Sequence, residues 1–170
     1  NGSGTVPASI SASSGTSITV ANGSGFSRSG YTFANWNTAA NGSGTTYSDG
    51  ATYAFNTDLT LYAQWTLNPT RTVNFNSNGG TGSMSSQSSN VSAALTLNTF
   101  TRIGYTFANW NTAPNGSGTS YANGATYAFS ADLTLYAQWT ALPTHTVTFN
   151  ANSGSGSMST QTSNVSAALT

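Results

Sequence analysis

The chain has 170 residues, and only 4% of them are charged: Arg28, Asp49, Asp58, Arg71, Arg102 and Asp132. A neutral chain without basic clusters has no electrostatic grip on phosphates, which sets aside nucleic acid as a partner, and no polybasic patch or long apolar run suggests membrane insertion. Cysteine is absent, which removes disulfides and thiolate metal sites, while aromatic residues at 12%, in recurring positions, argue against the disordered linker that so much Ser, Thr, Asn and Gly would suggest.

In chain order, Tyr31, Phe33 and Trp36 form the first apolar set. Its last step is three residues rather than two, so a bulge near Asn35, a residue that tolerates positive φ, is expected to return Trp36 to the core face. Asn41-Gly-Ser-Gly and Asp49-Gly are turn sequences. From Asp58 to Trp65 the chain alternates, with Leu59, Leu61, Ala63 and Trp65 on one face, which predicts a half-buried strand. Thr66 to Thr72 reads as a linker stiffened by Pro69, and Thr72-Val-Asn-Phe as a strand that begins a repeat. Ser92 to Leu97 is the best candidate for a short helical turn.

The pattern then returns. GYTFANWNTA begins at Gly30 and again at Gly104, a spacing of 104 − 30 = 74 residues, and Arg71-Thr-Val-Asn-Phe-Asn recurs as His145-Thr-Val-Thr-Phe-Asn, again 145 − 71 = 74. A period this long suits a string of small domains with their own cores. The expected organisation is a module over 1–66 that lacks its first strand, a linker at 67–71, a complete module over 72–140, a linker at 141–145, and the start of a third repeat over 146–170. The core expected for the complete module is Val73, Phe75, Met84, Leu95, Phe100, Tyr105, Phe107, Trp110, Tyr127, Phe129, Leu133, Leu135 and Trp139. The fold class is mainly β, with little helix.

Two motifs carry a family resemblance. Leu95-x-x-Asn98-x-Phe100-x-Arg102-x-Gly104-Tyr105-x-Phe107-x-x-Trp110, followed by Leu133-x-Leu135-Tyr136-Ala137-x-Trp139, resembles the Listeria–Bacteroides repeat, or internalin B-repeat, family. The resemblance covers nearly the whole chain. It implies tandem β-grasp-like modules, a small α+β variant of the mainly β class, on bacterial surface or secreted proteins. Such modules act as stalks, spacers and adhesion-associated units rather than enzymes. Where the family usually has Gly before the first Trp, this chain has Asn35 and Asn109. The segment Val6 to Val20 is a longer variant of the one expected before Phe26 and Arg28.

No residue set points to catalysis, a cofactor or a metal. His145 is the only histidine, and Arg71 holds the equivalent place one repeat earlier. Asp58 and Asp132 start equivalent strands and are expected to cap a turn or pair with Arg. Asp49 becomes Asn123 in the second copy, which weakens a Ca²⁺ site, and no Lys follows the Asn-Gly-Ser-Gly segments, so they are not phosphate loops. Asn-x-Ser/Thr sequons at Asn1, Asn22, Asn41, Asn90, Asn115 and Asn164 arise readily in this composition.

Two binding readings remain. Tyr47, Tyr62, Tyr121 and Tyr136 would stack on surface glycans if they pointed away from the core, against the plainer alternative of cross-strand packing. Thr146, Val147, Thr148, Phe149 and Asn150 match a first strand without the later strands of its module. They are expected to complete the strand-deficient module of another copy by β-strand addition, a head-to-tail contact that propagates into a filament; the plainer alternative is a stretch of a longer repeat protein whose adjoining repeats hold the matching strands. The expected setting is the bacterial cell surface or extracellular space. The expected partners are neighbouring repeats, other copies of the chain, and surface glycans or proteins.

Overall fold

Thr, Tyr, Phe, Val and Trp alternate with small polar residues, and Gly- and Asn-rich turns interrupt them at short intervals. That chemistry favours short strands over helix. The computed structural model describes residues 3–4 and 9–166, and these are mainly β, with a 3-10 turn at Gly23–Gly25 as the only helical segment among them. The chain forms two compact units, residues 1–69 and 70–170.

The first unit contains β1 (Ser3–Gly4), β2 (Thr16–Thr19), β3 (Phe26–Ser27), β4 (Tyr31–Asn37), β5 (Thr46–Tyr47), β6 (Thr52–Phe55) and β7 (Tyr62–Leu67). Its main sheet has the order β5-β4-β7, all antiparallel, while β2 pairs with β6 and β1 with β3. Phe33 lies opposite Trp65, but Asn35 lies opposite Gln64, so β4 carries the expected bulge. The bulge does not use positive φ at Asn35 or Asn109. Among the described residues, the non-glycine residues with positive φ are Asn78, Phe129, Asn152 and Ser153. The extra residue is Ala34, accommodated by a local shift of register rather than by a left-handed turn.

The second unit contains β8 (Arg71–Asn76), β9 (Gln87–Ser89), β10 (Ala93–Ala94), β11 (Tyr105–Asn111), β12 (Ser120–Tyr121), β13 (Thr126–Tyr127), β14 (Leu133–Ala141), β15 (His145–Val147) and β16 (Gln161–Ser163). Five of these form one sheet in the order β12-β11-β14-β8-β9. Its centre is a parallel pair: β8 and β14 match Val73 with Leu133 and Phe75 with Leu135. First and last strands lie side by side and parallel, the strand pairing expected of a β-grasp-like module, but no helix accompanies them among the described residues of this unit, which is β rather than α+β. The segment expected to form a helical turn is extended instead, because Ala93 and Ala94 pair with Tyr127 and Thr126 and Leu95 N donates to Ala125 O. Tertiary pairing overrides the helix preference of alanine there.

Trp110, Leu135, Val73 and Ala137 are fully buried, and Leu95, Phe100, Tyr127 and Phe129 complete the buried core. Phe75, Phe107 and Phe100 meet the Trp110 ring at centroid distances of 5.0, 5.0 and 6.1 Å, edge-on or tilted as ring quadrupoles prefer. Tyr105 departs from the expected core. It is half-buried, and the Arg102 guanidinium lies 4.0 Å from its ring centroid, a cation–π contact.

Candidate strand-acceptor site

The alternating segments Asp58–Trp65 and Asp132–Trp139 are near copies, yet they fold differently. In the second unit β14 runs for nine residues from Leu133; in the first, β7 runs for six and starts at Tyr62, three residues later than its counterpart. The difference coincides with the parallel partner. Leu133 to Tyr136 pair with β8, whereas no strand among the described residues lies beside Leu59 to Leu61. Without a neighbour to accept and donate backbone hydrogen bonds, those residues do not hold strand geometry.

Beside Leu59–Leu61 lies a groove. A cavity of about 240 Å³ in the first unit is lined by Ile10, Ile18, Val20, Ala21, Phe26, Trp36, Tyr53, Phe55, Leu59 and Leu61. In the second unit the counterparts Phe100, Trp110, Tyr127, Phe129, Leu133 and Leu135 close around Val73 and Phe75 of β8. The effect on burial is direct: Leu135 is fully buried, while Leu61 is only half-buried. The tryptophans differ too. Trp36 Nε1 donates to Ala21 O at 2.8 Å, on the groove wall, whereas Trp110 Nε1 is buried without an acceptor and Phe75 packs on its ring.

One polar group marks the head of the groove. In the complete module Asp132 Oδ1 accepts the Thr72 backbone N–H at 2.8 Å, and its other oxygen lies 4.0 Å from Arg71 Nη1. The expectation that these aspartates cap or pair with Arg holds for Asp132. Its counterpart Asp58 makes no hydrogen bond or ion pair among the described residues.

The expected donor residues divide in two. Thr146 and Val147 lie in β15, which pairs with β16 in the register of β8 with β9: His145 with Ser163 as Arg71 with Ser89, and Val147 with Gln161 as Val73 with Gln87. All three residues of β15 are exposed. Thr148, Phe149 and Asn150 follow the strand rather than belonging to it, although their counterparts Asn74, Phe75 and Asn76 complete β8. The cause mirrors that at Leu59–Leu61, because residues 73–76 are held by the parallel pairing with β14. The local turn is nonetheless the same: Asn152 N donates to Asn150 Oδ1 as Asn78 N donates to Asn76 Oδ1.

The four tyrosines are not brought together. Tyr47 sits opposite Trp36 on β4, whereas Tyr62 sits opposite the adjacent residue Asn37, so the two occupy opposite faces of one sheet. Tyr121 and Tyr136 repeat this split. Tyr47 and Tyr121 pack edge-on against Tyr53 and Tyr127 at 5.8 and 5.9 Å, the cross-strand packing alternative.

Sequence reading misses Asn37 and Asn111, both almost fully buried. The Asn111 amide donates to Gly116 O, Gly118 O and Ser120 Oγ and accepts from Ala113 N and Gly118 N, holding the Asn-Gly-Ser-Gly loop around itself. Its recurrence 74 residues after Asn37 is the available signal. Among the described residues no three metal-ligating side chains cluster, and no helix is long and apolar enough to cross a membrane.

The chain is 37% identical over 164 residues to a protein of Evansella cellulosilytica named "Putative Gly-rich membrane protein", a match that covers 89% of this chain and 19% of the relative. It is 39% identical over 89 residues to a second protein of that organism named "Putative membrane protein", covering 48% of this chain and 13% of the relative. The chain thus spans less than a fifth of the length of either. No solved structure matches it. The sequence model of the Listeria-Bacteroides repeat domain matches residues 1–64 and 72–138, and the chain belongs to that family as a tandem repeat protein.

Proposed function

We propose that the chain is a non-enzymatic structural repeat of the bacterial cell surface or extracellular space. It serves as a stalk or adhesin spacer whose modules are closed by parallel first and last strands. The place beside Leu59–Leu61 takes a strand of the β8 pattern, from an adjoining repeat or from another copy of the chain. The relatives named as membrane proteins support the cell-envelope setting.

The observation that carries the reading is the match between β8 and the groove beside Leu59–Leu61, where no strand lies among the described residues. β8 fills the core of its module with Val73 and Phe75, and the same pattern recurs at Val147 on the exposed strand β15 and at Phe149 just past its end. Inserted beside Leu59–Leu61 of a second copy, residues 146–150 would extend its three-stranded sheet by β-strand addition. Because β15 already pairs with β16, the donor is a hairpin, and two strands are added at once. The contact joins different surfaces of the two copies, so it does not close on itself and it propagates.

Electron microscopy and light scattering of the 170-residue chain test this, alongside a chain ending at Thr144. The expected result is linear polymers from the first and monomers from the second. Polymers that persist unchanged after removal of residues 145–170 would refute strand donation.

A further inference from the structure

The turn that follows the β15–β16 hairpin reaches back to the module before it. Ser163, the last residue of β16, donates its hydroxyl to Val165 O at 2.8 Å and accepts the Val165 N–H at 3.1 Å. This pair of bonds folds the backbone tightly about Asn164. The Asn164 amide then donates to Gly104 O at 3.1 Å, 60 residues earlier in the chain. The same serine clamp follows β9, where Ser89 holds Val91 at 2.8 and 3.1 Å. The turn therefore belongs to the sequence Ser-Asn-Val and not to its surroundings.

Gly104 is suited to receive the amide. It is buried, and its φ of +76° lies in the region that favours glycine. A Cβ there would stand 2.9 Å from both Nδ2 and Oδ1 of Asn164, so a larger residue leaves no room for the side chain. Its carbonyl also accepts the Leu142 N–H at 2.8 Å, from the residue that follows β14, and the two donors use both lone pairs of the oxygen. The linker bond recurs in the first unit, where Asn68 N donates to Gly30 O at 2.8 Å. That bond is a property of the module, and the contact from Asn164 is what the following hairpin adds.

We infer that Gly104 and Asn164 form an inter-repeat joint. The Gly104 corner of one module is the docking site for the Ser-Asn-Val turn of the next repeat's hairpin, and it sets the direction in which that repeat leaves. One carbonyl holds the start of the linker and the far side of the hairpin, so the hairpin cannot swing about the linker without giving up the amide bond. The partner this corner fits is a hairpin that presents a neutral carboxamide. A carboxylate at that place would repel the carbonyl oxygen, and an alanine would leave its second lone pair unmet. What the joint does for a stalk rests on the spacer reading above.

The chain has no cysteine, so spin labels go on Ser130→Cys in the module and Ser155→Cys between β15 and β16, both exposed positions. Pulsed electron resonance of the full chain, diluted with unlabelled chain, is expected to give one narrow distance. Asn164→Asp matches the side chain in size but lacks the donor. It and Asn164→Ala are expected to broaden the distribution, with the ratio of docked to undocked forms falling about fivefold, the net effect of one hydrogen bond. Amide exchange in β15 and at Leu142 is expected to stay unchanged in both variants. A broad distribution in the unaltered chain overturns the joint, and so does a narrow one that both variants keep. Broadening together with lost protection in β15 would show that Asn164 holds the hairpin together and not its direction, and overturns the joint as well. Each of these failures leaves the spacer reading standing, because the labels report the orientation of one hairpin and not the role of the chain.

Discussion

Replacing Asn111 by alanine removes the buried side chain that organises the 115–118 loop. The amide makes five hydrogen bonds of 2.9 to 3.2 Å at 1% exposure. A typical intramolecular bond contributes about 1 kcal/mol net, and a buried partner left unpaired costs about 1–3 kcal/mol. The loop groups lie near the surface, and some of them regain water once the amide is gone. The expected loss is therefore about 3 kcal/mol, less than a sum over five bonds. Urea unfolding gives the total, and amide exchange at Ala113 and Gly118, whose N–H groups point at Asn111 Oδ1, gives the local effect. Asn111→Asp is the sharper variant, since it retains two acceptors and loses both donors opposite the Gly116 and Gly118 carbonyls. It is expected to be at least as damaging as alanine at pH 7. A loss under about 1 kcal/mol for alanine, or a mild aspartate variant, would show that the loop holds its shape through its glycines alone.

Leu135→Ala and Leu61→Ala are the same substitution in two copies. The first empties a fully buried site and is expected to cost about 3 kcal/mol; the second, on the open groove wall, is expected to cost roughly half of that or less. Equal losses in denaturant titrations would mean that the groove is closed in solution. Gly80→Ala places a methyl group 2.6 Å from Trp139 Cζ2 and 2.9 Å from Thr101 O, an overpacking expected to cost about 1–3 kcal/mol and to be read as a lowered Tm.

The strands are legible where one face is apolar: Leu133, Leu135, Ala137 and Trp139 alternate and do form one strand. Their parallel partner is not legible from periodicity, because Thr72-Val-Asn-Phe is too short a pattern to show which edge it joins. That arrangement enters through the family resemblance alone. Asn111 is invisible as a core residue because asparagine near glycine reads as a turn. Only the closed loop shows that the turn wraps the side chain. Ser92–Leu97 is misread for the opposite reason: alanine prefers helix locally, and a partner strand more than thirty residues away decides otherwise. The acceptor site is half legible. The repeat phase tells which strand pattern belongs beside Leu59–Leu61, but the difference between Asp58 and Asp132 appears only beside the finished contacts of Asp132.

The topology also bears on how a stalk built from these modules would carry load. Force enters the complete module at the start of β8 and leaves at the end of β14, and those strands are neighbours running in the same direction. Pulling Arg71 one way and Ala141 the other slides the strands past each other. The slanted, evenly spaced bonds of the parallel ladder are then strained together. Pulling both strands from the end where they start would instead peel the ladder one bond at a time. The absence of cysteine makes the comparison clean. Handles at Thr70→Cys and Leu142→Cys load the pair in shear, and handles at Thr70→Cys and Ala131→Cys peel it. At one loading rate the first geometry is expected to need the larger unfolding force. Equal forces in the two would mean that resistance lies in the aromatic core around Trp110, and that the parallel pairing of first and last strands adds no mechanical strength.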